Sequence, residues 1–535
     1  MRRLVALLAI ATMMAAPAVG LEIPDEQKLI VQNLAGTTEP VQGELFDDLD
    51  SWSFIPSQIQ PPSGPATSPA KESVICSSVD DPKCKDLLAL NVKAFLPYCA
   101  NEKTLYCIES FFAVVNGKKI VGSYIQNYPA EKSLGQFDED AKYKVPSGGT
   151  GSLWKLPGIT HSGGSDTYWL NAQLLGSLLR KSVSETFPPM NINQIWSSIS
   201  AVSEVSFPGS VPPEAYAGGG TKTNSRPITL DGRQCLIAGK DACLLAWPLD
   251  QNISYGMTVR MAEPISGWLH GRLDKPEFQT TTDKEGRFHL TMAGKPVKVP
   301  TLFASTTWSK ASAKIKSRFG GAPSGCCSIG PSFSYDSAGR NQSGEEMVAD
   351  LRMWIPYVED KASATPTYWI TRTIQSSMAA KRSQCFAGGE VNGVVTTNAT
   401  AYAAGAPTFN EKNQSLDYQV ASPHYDAQGG ENIGSYNLQI NSKVARCLYG
   451  FSNAPLSATV TIISENGKTQ VATSSLKEDK KWIYLNVSGF TYSNPTLRVV
   501  FKQKAASTSI SCVKNGVTKK VTGKSPVCPK GYRKV

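Results

Sequence analysis

Ala458-Thr-Val-Thr-Ile-Ile-Ser-Glu-Asn-Gly-Lys-Thr-Gln-Val471 carries the clearest structural signal in the chain. Ala458, Val460 and Ile462 alternate with other residues, as the side chains of a half-buried strand must, because successive side chains point to opposite faces. Asn466-Gly467 is a two-residue hairpin turn signal, and the run through Val471 continues on its far side. The same alternation recurs on both sides of this hairpin. Leu416, Tyr418 and Val420 form one set, Tyr436, Leu438 and Ile440 another, then Ile483, Leu485 and Val487, and finally Leu497, Val499 and Phe501. Short alternating strands at this spacing predict an antiparallel β-sandwich of immunoglobulin-like size over residues 376–505.

Earlier in the chain, Tyr255 to Met261, Trp268 to Leu273 and Phe288 to Met292 read as strands. Helical spacing is local: Leu170, Leu174, Leu178 and Ser182 after Asp166; Met347, Leu351, Trp354 and Tyr357; and Lys85 to Leu96, ended by Pro97. The fold class expected is mainly β and multi-domain, with few short helices. The 535 residues, with 44 Gly and 34 Pro, exceed what one core supports. The expected organisation is a signal peptide over 1–20, an N-terminal segment and Pro/Ser-rich linker over 21–75, a β-rich body over 76–375, the sandwich, and a tail over 506–535. The linker, 55–73, is expected to leave the N-terminal segment loosely attached. Tyr216 to Pro227, with three consecutive glycines, reads as a long loop.

Charge is distributed very unevenly. Lys502 to Val535 holds nine cations and no acid; without those nine and Arg2 and Arg3, 43 Lys and Arg face 44 Asp and Glu. The body is neutral and the tail is a cationic handle for something polyanionic. Lys514, Lys519, Lys520, Lys524, Lys530, Arg533 and Lys534 are its candidate binding residues. Ser509 to Lys514, Asn515-Gly516 and Val517 to Val521 read as a hairpin with a type I′ turn. A neutral body argues against nucleic acid as a partner. Met1-Arg2-Arg3, an apolar run from Leu4 to Ala16 and small residues after it form a secretory signal; no later stretch is apolar for long enough to span a membrane.

Twelve cysteines agree with secretion. Cys76 and Cys84, Cys99 and Cys107, and Cys235 and Cys243 share one spacing, which suits local disulfides. Cys385 with Cys447 and Cys512 with Cys528 are the further pairs expected; Cys326 and Cys327 remain open. Zinc is the rival reading, but the spacings are wrong and no histidine adjoins the pairs.

The tail from Cys512 to Cys528-Pro-Lys-Gly-Tyr532 resembles a C-terminal element of large secreted actinobacterial proteins. Phe95-Leu96-Pro97-x-Cys99 through Cys107-Ile108-Glu109, Pro157-Gly158 through His161-x-Gly163-Gly164, and Ala445-Arg446-Cys447-Leu448-Tyr449-Gly450-Phe451 resemble blocks of the same group. The resemblance implies a compartment and an origin, and lends no catalytic residue.

No motif outweighs its structural reading. Cys326-Cys327-Ser328-Ile329-Gly330 lacks the first Gly of a nucleophile elbow. His161, His270, His289 and His424 are the four histidines, and His161 with Asp166 reads as a turn stabilised by side chains. Asp47-Asp48-Leu49-Asp50 and Asp138-Glu139-Asp140 read as solvated loop charge. Trp268, Trp354, Trp369 and Trp482 read as core. No catalytic residue, metal ligand or cofactor is expected. The function expected is a secreted, non-catalytic surface protein presenting β-domains for glycan or protein ligands, retained by its tail on an anionic wall or surface polymer. The rival is a secreted hydrolase of polysaccharide or peptide with an unidentified active site.

Overall fold

The computed structural model describes residues 40–45, 57–62, 74–130, 136–206, 236–238, 242–318, 344–374, 385, 391–403, 405–452, 456–463, 467, 469–471, 473–479, 481–492, 496–503, 508–523 and 526–535. The signal-peptide segment, the 216–227 loop, Asp47, Asp48 and Asp50, Cys235, Cys326, Cys327 and Lys524 lie outside them.

The chain is mainly β, with several sheets and few short helices. A central sheet runs, by direct pairing, from Gln58–Gln60 through Ala89–Phe95, Thr167–Leu179, Asn191–Ser206, Thr367–Ile374 and Gly267–Thr282. It continues through Val391–Thr397, Ile433–Asn441 and Trp482–Thr491 to Thr473–Glu478. A second sheet orders Lys118–Val121, Cys107–Val115, Ser254–Met261 and Phe288–Lys298, and ends on the far half of Gly267–Thr282. That strand serves both sheets because it kinks at an irregularity between Asp274 and Glu277, where Lys275 takes φ 49°. A third, six-stranded sheet contains Ser415–Ala421, Thr496–Gln503 and Leu456–Ile463.

The central sheet is buried on both faces in its middle. Leu269 and Val394 join a core with Met257, Leu290 and Phe278 of the second sheet. Their chain neighbours Trp268 and Val395 join another core with Tyr418, Val460 and Val499 of the third. Every residue of Val391–Thr397 is therefore buried, the polar Asn392, Thr396 and Thr397 included, and no alternation of apolar and polar residues marks the strand. Glycine lets large rings enter this tight stack. Gly393 lies directly opposite Trp268 and Gly434 opposite Phe490, and a Cβ on them would stand 2.4 Å and 2.2 Å from those rings. Gly393→Ala is expected to cost about 1–3 kcal/mol by overpacking. A denaturant midpoint equal to that of the parent chain would show that Trp268 can yield.

The expected strands through 254–298 and 415–501 are present. The C-terminal region is two antiparallel layers packed face to face, but one layer continues across residue 376 through the parallel pairing of Gly267–Gly271 with Val391–Thr396. The N-terminal segment is tied in more firmly than a loose linker implies. Pro40–Leu45 pairs with Leu302–Thr307, Ile59 is buried, and Ser57 Oγ donates to Gly149 O at 2.7 Å and accepts Phe95 N at 2.9 Å.

Two expected helices are strands. Leu170, Leu174 and Leu178 lie on Thr167–Leu179, and the 85–96 run forms Ala89–Phe95. A spacing of four is also two strand repeats, so these leucines share one face in either structure, and pairing to neighbours decides between them. The 347–357 spacing is borne out by helix Gly344–Trp354 and the short turn Ile355–Tyr357. Helix Ser442–Tyr449 is not among the helices expected, although its ends are marked in the sequence. Asn441 caps it by accepting Lys443 N at 3.0 Å, and Gly450 closes it at φ 65°. The 456–471 hairpin forms, but Ile463 pairs with Thr469 across five residues, so its loop is longer than the two-residue turn expected. Gly467, at φ 78°, supplies the left-handed residue that such loops use.

Candidate functional site

The tail folds as a small sheet of its own. Thr508–Lys514 and Val517–Gly523 pair across Asn515-Gly516, whose φ values of 49° and 77° are those of a type I′ turn. Arg533–Lys534 adds to the open edge of the first strand. A unit this small buries little, and the Cys512–Cys528 disulfide holds its last segment against the hairpin. Cys512, fully buried, stands opposite both Lys519 and Lys534, so those two lysines share a face about 10 Å apart across two strand spacings. Lys520 and Arg533 fall on the other face, opposite Ser511 and Val513. Lys514, Lys519, Lys520, Lys530, Arg533 and Lys534 are all exposed. Lys514 Nζ approaches the Tyr532 ring at 6.0 Å, and no acidic residue occurs in this segment to neutralise the cations.

Three more expected disulfides are present: Cys76–Cys84, Cys99–Cys107 and Cys385–Cys447. Cys99–Cys107 closes a loop whose residues Asn101, Glu102, Lys103 and Thr104, with Glu139, line an open surface pocket of about 430 Å³. Two arginines hold this loop by its carbonyls. Arg260 Nη2 donates to Asn101 O at 2.8 Å, and Arg287 Nη1 donates to Glu102 O. Glu139, expected as solvated charge, accepts Leu105 N at 2.8 Å and so also fixes the loop.

Behind the loop lies a half-buried charge network that no spacing in the sequence announces. Strand Cys107–Val115 bulges at Glu109: Ile108 faces Val259 and Ser110 faces Thr258, which leaves Glu109 as the extra residue. Its Oε2 lies 2.7 Å from His289 Nδ1 and its Oε1 3.6 Å from Arg260 Nε. His289 Nε2 lies 3.0 Å from Asp283 Oδ2, which also accepts Arg287 Nε at 2.6 Å. Partial burial pushes the Asp283 carboxyl upward, but the bonds from His289 and Arg287 outweigh it and hold it well below the usual carboxylate range. Both carboxylates are occupied by donors and no nucleophilic hydroxyl stands among their partners.

The other histidines are structural. Gly163 N donates to His161 Nδ1 at 3.0 Å, so Nε2 carries the hydrogen and donates to Val202 O at 3.1 Å. Burial lowers the pKa of His161 and keeps it neutral, while Asp166 faces Lys155. His270 stacks on Tyr402 with centroids 3.7 Å apart; burial, then Arg272 and Arg372, push its pKa well down. His424 Nδ1 meets Asp360 Oδ2 at 2.5 Å, and His424 N also bonds that carboxylate, so the pair closes a loop on itself. Trp268, Trp354, Trp369 and Trp482 are buried, as their contexts imply.

Among the described residues no group of three His, Cys, Asp or Glu could hold a metal ion, and no helix is long and apolar enough to cross a membrane. No protein-family model matches the chain, and no curated protein matches it.

Proposed function

We propose that this is a secreted, non-catalytic surface protein that presents stacked β-layers for ligand binding or adhesion and is retained by its C-terminal sheet on an anionic wall or surface polymer. The observation that carries the proposal is the tail itself: a disulfide-stapled unit with its described cations exposed on both faces and no acid among them. The four disulfides among the described residues and the resemblance of the tail to secreted actinobacterial proteins support the compartment. The engaged carboxylates of the Glu109–Asp283 network favour a binding protein over a hydrolase.

Each cation contributes at most about 1 kcal/mol of attraction to an anionic surface. The Debye length falls from about 10 Å at 0.1 M salt to about 3 Å at 1 M, which screens most of it. The mature chain should therefore remain cell-associated at low salt and elute at high salt. A chain ending at Gln503, where the last strand of the third sheet ends, should elute at both. Equal retention of the two chains would place the anchor in the body.

A further inference from the structure

We propose that the Glu109–His289–Asp283 bridge is a proton-operated clamp that holds the Cys99–Cys107 loop, which lines the open 430 Å³ pocket, firmly in acid and loosens it as pH rises. The reasoning is proton counting. Ionised carboxylates only accept hydrogen bonds, so two of them facing the two ring nitrogens of one histidine at 2.7 Å and 3.0 Å require a hydrogen on each nitrogen. The bridge is complete only when it holds one proton more than a neutral imidazole between two carboxylates.

Every charged group that faces His289 fits this count. Glu109 comes from the Cys107–Val115 strand, Arg260 from Ser254–Met261, and Asp283, Glu285 and Arg287 from the turn that precedes His289 itself. Glu102 joins from the disulfide loop, near Arg287. With the imidazolium in place, the three cations Arg260, Arg287 and His289 face the four carboxylates Glu102, Glu109, Asp283 and Glu285, a net charge of −1. Removing the proton takes the net charge from −1 to −2 and leaves one ring nitrogen whose lone pair faces a carboxylate oxygen.

The nitrogen that loses its hydrogen is the one facing Asp283. Asp283 keeps other donors without it, from Arg287 Nε at 2.6 Å, Arg287 N at 2.8 Å and Glu285 N at 3.1 Å. Glu109 has Arg260 only at 3.6 Å and keeps the histidine. Repulsion then falls between His289 Nε2 and Asp283 Oδ2, which loosens the side-chain link from the 283–287 turn to the sheet while the Thr282–Phe288 pairing at its base stays. Arg287 shifts with those side chains and its hold on Glu102 O weakens, which leaves that carbonyl the longer bond from Arg260 Nη1 at 3.4 Å. His289 is thus a positioning residue that acts on the pocket wall through Arg287.

The test is hydrogen–deuterium exchange of the 100–106 peptide in the full oxidised chain, corrected for intrinsic exchange, on the two sides of the histidine range, at about pH 5 and about pH 8. The expected result is exchange about tenfold faster at the higher pH, the effect of one charge-assisted hydrogen bond. His289→Gln should make the rate independent of pH, and His424→Asn should leave the pH dependence intact. Nitrogen NMR of the unmodified chain supplies a readout that needs no variant: both His289 ring nitrogens protonated in acid and one at the higher pH. Equal protection at the two pH values, pH dependence that survives His289→Gln, or a ring that keeps one protonation state throughout would each overturn the clamp.

Discussion

Replacing Arg272 by Ala is expected to cost about 3–5 kcal/mol of folding stability. The guanidinium is completely buried. It donates to the carbonyls of Thr397, Ala399 and Thr400 at 3.1, 2.5 and 3.4 Å, and its Cζ lies 4.6 Å from the centroid of the Tyr402 ring. These contacts tie the Gly267–Thr282 strand to the end of Val391–Thr397, where the chain leaves the central sheet for the third. Ala would leave three buried acceptors without this donor and open a void against Tyr402. Arg272→Lys should recover only part of the loss, since an ammonium lacks the fork that reaches several carbonyls at once. The check is a denaturant titration followed by tryptophan fluorescence. An unchanged midpoint for Arg272→Ala would mean that the carbonyls find other donors.

Removing the Cys385–Cys447 bridge should cost more than removing either short one. It closes 62 residues and anchors helix Ser442–Tyr449, whereas Cys76–Cys84 and Cys99–Cys107 close only 8 each. Loop-closure entropy puts the long bridge at about 4 kcal/mol and the short ones at about 2.5 kcal/mol. Comparing the double-serine variants Cys385→Ser/Cys447→Ser and Cys76→Ser/Cys84→Ser by thermal unfolding tests the ranking. A larger loss for the short bridge would show that native packing around Cys76 and Cys84, both fully buried, outweighs chain entropy.

The residues that could be read correctly from sequence are those whose structure is local. Asn515-Gly516 specifies its own turn through φ, so the tail hairpin was legible before any partner was known. Cysteines eight apart meet within their own loop. Leu170, Leu174 and Leu178 misled because their spacing satisfies two periods equally well. The Glu109 network carried no signal at all. Glu109 and His289 stand 180 positions apart, and they meet because a bulge turns one side chain toward a strand that only sheet pairing brings near.

The β class, the short-range pairs Cys76–Cys84 and Cys99–Cys107 and the concentration of charge in the last 34 residues follow from the sequence by itself, because alternation, close spacing and charge are properties of neighbouring residues. The tertiary structure alone decided that Val391–Thr397 runs parallel to Gly267–Gly271 and so joins the C-terminal layers to the body. It alone placed His289 between two carboxylates beside the disulfide loop. The physical reason is the same in both cases. A period of two states which face a side chain takes, but backbone hydrogen bonds are alike for every strand, so the choice of neighbour rests on packing among residues far apart in the chain.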